Sequence, residues 1–287
     1  MDKYVSDALE RILDATPVRN QVSQQVCEHL QEYGPLISSV LGQSAQYFSS
    51  KCMGYPSIWF LFRVCDIPQE QWPERIESVM QSLLFSLSTS IADDFIDGDE
   101  RVGDKDMYVF YIMMLAIAER SSGEKSRLDN IKQTCKGLYD SIIQSKIAQA
   151  KGENGDEYVS TDRIGSFFAM IARDFVDALP QQNDHNLIEA TRYFGRICCL
   201  IDDAIDFTKD VEIQGENIIF EVMDKATFEQ SKSDVQIRIN AALQVLDREY
   251  STLSKLLESI WSQDCQQQFA QIRLDIVDYI TTTMNAQ

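Results

Sequence analysis

After Pro73 the chain meets only one more proline, Pro180. Proline removes a helix hydrogen bond and clashes with the turn before it, so the rest of this 287-residue chain is open to long, uninterrupted helices. The apolar residues agree, recurring at spacings of three and four over stretches of about 20 residues, longer than most globular helices. Alternating β-branched runs closed by Asn-Gly or Asp-Gly turns are missing. Breaks fall at 121–127 (SSGEKSR), 151–157 (KGENGDE), 180–186 (PQQNDHN) and 213–217 (IQGEN). None is long enough for an interdomain linker, so the pattern predicts a single all-α domain over 1–287.

Charge narrows the partners. The net charge is −19, which argues against nucleic acid and anionic membrane surfaces, since both attract Lys and Arg. A small anionic ligand remains compatible if metal ions mediate. The longest apolar run, Met107 to Ala118, has twelve residues, well short of a membrane span, so no stable membrane insertion is expected. The seven cysteines are odd in number and scattered, without a CxxC. The N-terminus shows no basic stretch followed by an apolar one. A cytoplasmic protein with reduced thiols is the simple reading.

Two acidic segments stand out. One helix is expected over about 74–97, with a core stripe of Ile76, Val79, Leu83, Leu87 and Ile91. Another stripe carries Ser86, Thr89 and Ser90 up to Asp93 and Asp97, and Gly98 ends the helix. A second helix is expected over about 186–209, capped by Asn183 or Asp184. There Gly195, Cys198 or Cys199, Asp202 and Asp206 share a face.

Both clusters sit near helix C-termini, where the macrodipole and like charges at i,i+4 disfavour carboxylates. Residues 93–106 hold seven acids and two bases, and residues 202–216 hold six acids and one base. A divalent cation compensates such density. Oxygen donors suit Mg²⁺ or Mn²⁺ rather than Zn²⁺, for which only two histidines exist. A solvated acidic face competes for either run alone, less well for two runs of the form Asp-Asp-x-Ile-Asp. A calcium loop at Asp93, Asp97 and Gly98 fails because Phe95 takes a ligand position and Asp104, not Glu, takes the last.

These motifs resemble those of the class I isoprenoid synthases, the all-α superfamily of trans-prenyl diphosphate synthases and class I terpene cyclases. "DDFID" matches the aspartate-rich DDxxD at Asp93, Asp94 and Asp97. "DDAIDFTKD" reads either as a second DDxxD, with Asp202 or Asp203 and Asp206, or as the cyclase-type triad at Asp202, Asp206 and Asp210. "RIGSFF" (163–168) is similar to the Lys-Thr-Gly segment of the prenyl synthases, with Arg163 in the lysine's place. The likeness runs in order from about residue 75 to 217; the flanking segments of about 70 residues match only in helical character.

The resemblance implies a single large helical bundle of the class I terpenoid synthase type with a central active-site cavity. It implies that the acids bind Mg²⁺, three ions as in the family, with Mn²⁺ as a substitute. Asp93, Asp94, Asp97, Asp202 and Asp206 are then the catalytic acids, and Asp203 and Asp210 join them as ligands. The ions hold the diphosphate of a prenyl substrate and stabilise the leaving group. Arg163, Lys146 and Lys209 contact its oxygens. The pocket is lined by Phe85, Ser88, Thr89, Phe95, Phe167 and Phe168, with Trp59 and Phe60 as further aromatic candidates for cation–π contact. Each aromatic also reads as ordinary core. Dimers are common in the family, so the resemblance points to a homodimer.

The departures decide the reaction. Chain-elongating synthases carry an N-terminal Gly-Lys-x-x-Arg for isopentenyl diphosphate, and no Gly-Lys dipeptide occurs here. The Arg-Arg pair that follows the first motif in elongators is Arg101-Val102. A one-substrate terpene cyclase is therefore expected. The alternatives are a prenyltransferase acting on a non-diphosphate acceptor or a second prenyl chain, and a non-catalytic relative. Ser88 and Thr89 lie one turn before Asp93, with Phe85 a turn lower as a floor. Small residues there leave depth for a C15 or C20 substrate.

Overall fold

The structure, a computed structural model, describes residues 3–31, 54–96, 104–121, 163–179, 184–213 and 217–287, with scattered positions between 129 and 136. Among the described segments, the side chains of 3–6, 90–96, 104–109, 119–121, Arg163 and Ile213 are not described. Every regular element among the described residues is helical, so the chain is all-α. The chain divides into two compact units. One comprises Met1–Lys132 with Phe167–Asp184, the other Gln133–Ser166 with His185–Gln287.

The first unit opens with a helical pair, α1 (Lys3–Leu13) and α2 (Thr16–Gln31). The turn between them is made by Asp14 at φ 50°, a left-handed conformation that Asp tolerates better than most side chains. Pro17 sits in the first turn of α2, where its missing N–H is harmless. Val18, Val22, Val26 and Leu30 form the buried stripe of α2, against which α3 (Tyr55–Val64) and α4 (Trp72–Ser78) pack. All of α3 except Arg63 is buried.

The helix expected over about 74–97 is two helices. α4 ends at Ser78, Val79 steps out of helical geometry (φ −108°, ψ 6°), and α5 runs Met80–Ile96. The Val79 N–H bonds the Ile76 carbonyl at 3.2 Å, a tight closing turn that satisfies the helix end locally. Ile76, Val79, Leu83 and Leu87 nevertheless stay buried in one continuous stripe, which is why periodicity alone does not register the interruption. α5 packs along α6 (Asp104–Ser121), and α7 (Arg163–Ala178) follows.

The second unit is organised by α8 (Asp184–Ile213). The helix expected to end near 209 continues through the acidic segment to Ile213. Leu187, Ala190, Phe194, Ile197, Ile201, Ala204 and Phe207 make its buried stripe, enough apolar surface to hold the helix despite the acids near its end. A 3₁₀ turn (Ile218–Val222), α9 (Lys225–Ser231), α10 (Val235–Leu257) and α11 (Gln263–Asn285) complete the unit. Phe194 meets Phe269 of α11 edge-on at 6.1 Å between ring centroids, and Phe220 of the 3₁₀ turn meets Phe207 at 5.5 Å and Phe228 at 5.1 Å. Side-chain caps from Asp224, Asp234 and Ser262 start α9, α10 and α11. No described helix is long and apolar enough to cross a membrane.

Candidate functional site

The first acidic segment lies at the end of α5. Its backbone is helical to Ile96, so Asp93 and Asp94 occupy the last turn. The side chains of Asp93, Asp94 and Phe95 lie outside the described residues, as does all of Asp97. The wall leading up to them is described. The hydroxyls of Ser88 and Thr89 both donate to the Phe85 carbonyl, at 2.8 and 2.6 Å. Spent on their own helix, they present carbon rather than a hydroxyl donor to their surroundings. Phe85 on α5 faces Phe167 on α7, with ring centroids 6.1 Å apart and planes at 53°. Phe168 is buried. Trp59 and Phe60 are core residues of α3, and the Arg63 guanidinium lies 5.9 Å from the Trp59 ring centre.

Arg163 is the first residue of α7; its side chain, and the whole of Lys146, lie outside the described residues. Sequence reasoning passed over Asp174, a carboxylate only 2% exposed. It accepts a hydrogen bond from the Ser82 hydroxyl across α5 and α7. The separation of 92 residues left no local pattern to find.

Of the second acidic segment, residues 202–212 are described in full, whereas the side chain of Ile213 and the whole of 214–216 lie outside the described residues. Asp202, Asp206 and Asp210 recur every four residues along α8 and are all half-buried. Burial is the main cause that pushes the Asp210 carboxyl up to about 6. A hydrogen bond from Asn217 opposes the rise, the charges of Asp206 and Asp202 add to it, and that of Lys209 opposes it. Asp210 therefore feels the charge of both of the other acids in the row. Lys209 is exposed beside them.

Asp203 points elsewhere. Its carboxylate accepts the Ile218 N–H, and the Cys199 thiol lies 3.8 Å away as a donor. Asn217 ties the two strands of this arrangement together. Its Nδ2 donates to the Asp203 carbonyl at 2.8 Å and to the Asp210 carboxylate at 2.9 Å, and its Oδ1 accepts the Ile219 N–H at 3.0 Å. Behind the 3₁₀ turn, Arg196 of α8 donates to Glu221 and Glu249, and Arg248 reaches the same two carboxylates.

The donor set suits a hard divalent cation. It consists of carboxylate oxygens, repulsive when bare, without sulfur or imidazole among the three. From Asp202 to Asp210 the row spans about 12 Å along the helix axis. That length is too great for one ion, whose ligands stand about 2 Å away. Among the described residues no group of three or more acidic, His or Cys side chains surrounds a single point.

No family model matches the chain, and no match is found among curated proteins.

Proposed function

We propose that this chain is a Mg²⁺-dependent class I terpene synthase that ionises a C15 or C20 prenyl diphosphate and converts the carbocation to a terpene. The observation that carries the proposal is the row of Asp202, Asp206 and Asp210 on one face of α8. Their charges are felt together at Asp210, while Asp203 is committed to the Ile218 N–H. That division favours the cyclase-type triad over a second DDxxD. The DDFID run at Asp93, Asp94 and Asp97 provides the partner set of ligands.

In this reading, bound Mg²⁺ supplies electrostatic stabilisation of the departing diphosphate. The aspartates hold the ions. Arg163, at the positive end of α7, binds phosphate oxygens together with Lys146 and Lys209. Phe85 and Phe167 offer aromatic faces to the cation and exclude water. Ser88 and Thr89 turn their hydroxyl hydrogens to the Phe85 carbonyl and so offer no O–H donor to the pocket. The missing Gly-Lys and Arg-Arg motifs remove a site for a second diphosphate, so a single substrate is consumed.

The test is release of inorganic diphosphate from farnesyl and geranylgeranyl diphosphate. Release should require Mg²⁺, stop with EDTA, and fall by at least about a hundredfold in Asp202→Asn/Asp206→Asn. Unchanged release in that double variant would remove α8 from the site.

A further inference from the structure

We propose that Asn217 is a positioning residue that fixes Asp210 in register with Asp202 and Asp206, completing the ion-binding row from outside it. The inference rests on the reading of Asp210 as an ion ligand. It goes beyond that reading because Asn217 lies outside both aspartate motifs.

The geometry is complete at Asn217. The side chain is 2% exposed. An amide offers two hydrogens and one carbonyl oxygen, and all three are placed. One hydrogen goes to the Asp203 carbonyl, the other to the Asp210 carboxylate, and the oxygen caps the 3₁₀ turn at Ile219. Asp210 lies three residues before the end of α8, where helices fray. A hydrogen bond to one carboxylate oxygen (Oδ2) holds the rotamer and leaves the other oxygen for an ion. The anchor is itself held. The Ile218 N–H is bound by Asp203, and Glu221, at the far end of the turn, is bound by Arg196 of α8. The 3₁₀ turn is thus pinned back onto α8 at both ends, and Asn217 transmits that rigidity to Asp210. Hydrogen-bond partners of metal ligands act in this way on affinity.

The experiment uses the full chain and follows the thermal unfolding midpoint against Mg²⁺ in the presence of inorganic diphosphate. The variants are Asn217→Ser, Asp210→Asn and the two combined. Serine keeps a capping oxygen for Ile219 but does not reach Asp210, so loss of the cap is separated from loss of the hold. Asn217→Ser should fold and need about tenfold more Mg²⁺ for half of the stabilisation. The double variant should need no more than Asp210→Asn alone, since the two residues act as one.

A wild-type Mg²⁺ requirement in Asn217→Ser, with Asp210→Asn shifted, would overturn the positioning role and leave the ion site standing. Additive effects in the double variant would likewise overturn it. No Mg²⁺ stabilisation of the wild type, or none lost in Asp210→Asn, would remove the ion site itself and the inference with it.

Discussion

Arg196 on α8 donates through Nε to Glu249 on α10 at 3.1 Å, and the Glu249 side chain is only 2% exposed. The same guanidinium reaches Glu221 at 2.9 Å. One arginine therefore joins α8, α10 and the 3₁₀ turn that follows the acidic segment. Among the described residues, Arg196→Ala leaves Glu249 paired with Arg248, itself 42% exposed. The expected loss of stability is about 2–3 kcal/mol, below the full cost of stripping a buried pair. Arg248→Ala should lose less than about 1 kcal/mol, as exposed pairs do. Chemical denaturation of both variants checks the order; equal losses would contradict it.

Asp210 gives the protein a pH dependence of known sign. Its folded carboxyl titrates at about 6, raised from 3.8 chiefly by burial. A raised acid contributes stability below its unfolded pKa and loses it as the pH climbs through the folded one. With EDTA present, Asp210→Asn should therefore match the wild type near pH 4 and melt higher above pH 6. Partial exposure reduces the effect to about 1 kcal/mol, or about 2–4 °C. Melting curves from pH 4 to 8 decide; a difference independent of pH would refute the burial of this carboxylate.

Gly54 is a site of close approach. Its backbone is ordinary (φ −76°), so space alone excludes a side chain. A Cβ there would lie 2.2 Å from Cδ2 of Leu83 and 3.3 Å from Cδ1 of Ile171. Leu83 is buried and cannot turn away freely. Gly54→Ala should cost about 1–3 kcal/mol, and Gly54→Ala/Leu83→Ala less than the sum of its parts. Strict additivity in denaturation would contradict the contact.

The Phe85–Phe167 contact carries a prediction about substrate. If the paired rings floor the prenyl pocket, Phe85→Ala opens it and raises kcat/KM for geranylgeranyl over farnesyl diphosphate by about tenfold. Steady-state kinetics with both substrates measure the ratio. An unchanged ratio with intact folding would place the floor elsewhere.

Much of this arrangement was legible in sequence, and the exceptions share a cause. The all-helical class followed from periodicity and the scarcity of proline, and the helix ends at Ser121 and Ile213 fall at expected breaks. The interruption at Val79 was hidden because its buried stripe continues across it. Ser88 and Thr89 read as small polar wall residues, whereas their hydroxyls turn inward to the Phe85 carbonyl, a choice of rotamer that no spacing encodes. Asn217 fell within a stretch read only as a break. Its partners lie 14 and 7 residues away, and Arg196 and Glu249 are 53 apart. Such pairings belong to tertiary structure.

The central claim is tested most directly by gas chromatography–mass spectrometry of products. The pure protein is incubated with geranyl, farnesyl and geranylgeranyl diphosphate separately, with Mg²⁺, with and without isopentenyl diphosphate. The account predicts a terpene hydrocarbon or alcohol from farnesyl or geranylgeranyl diphosphate alone, lost with EDTA and indifferent to isopentenyl diphosphate. A longer prenyl diphosphate formed only when isopentenyl diphosphate is present, or no product from any substrate, would contradict it.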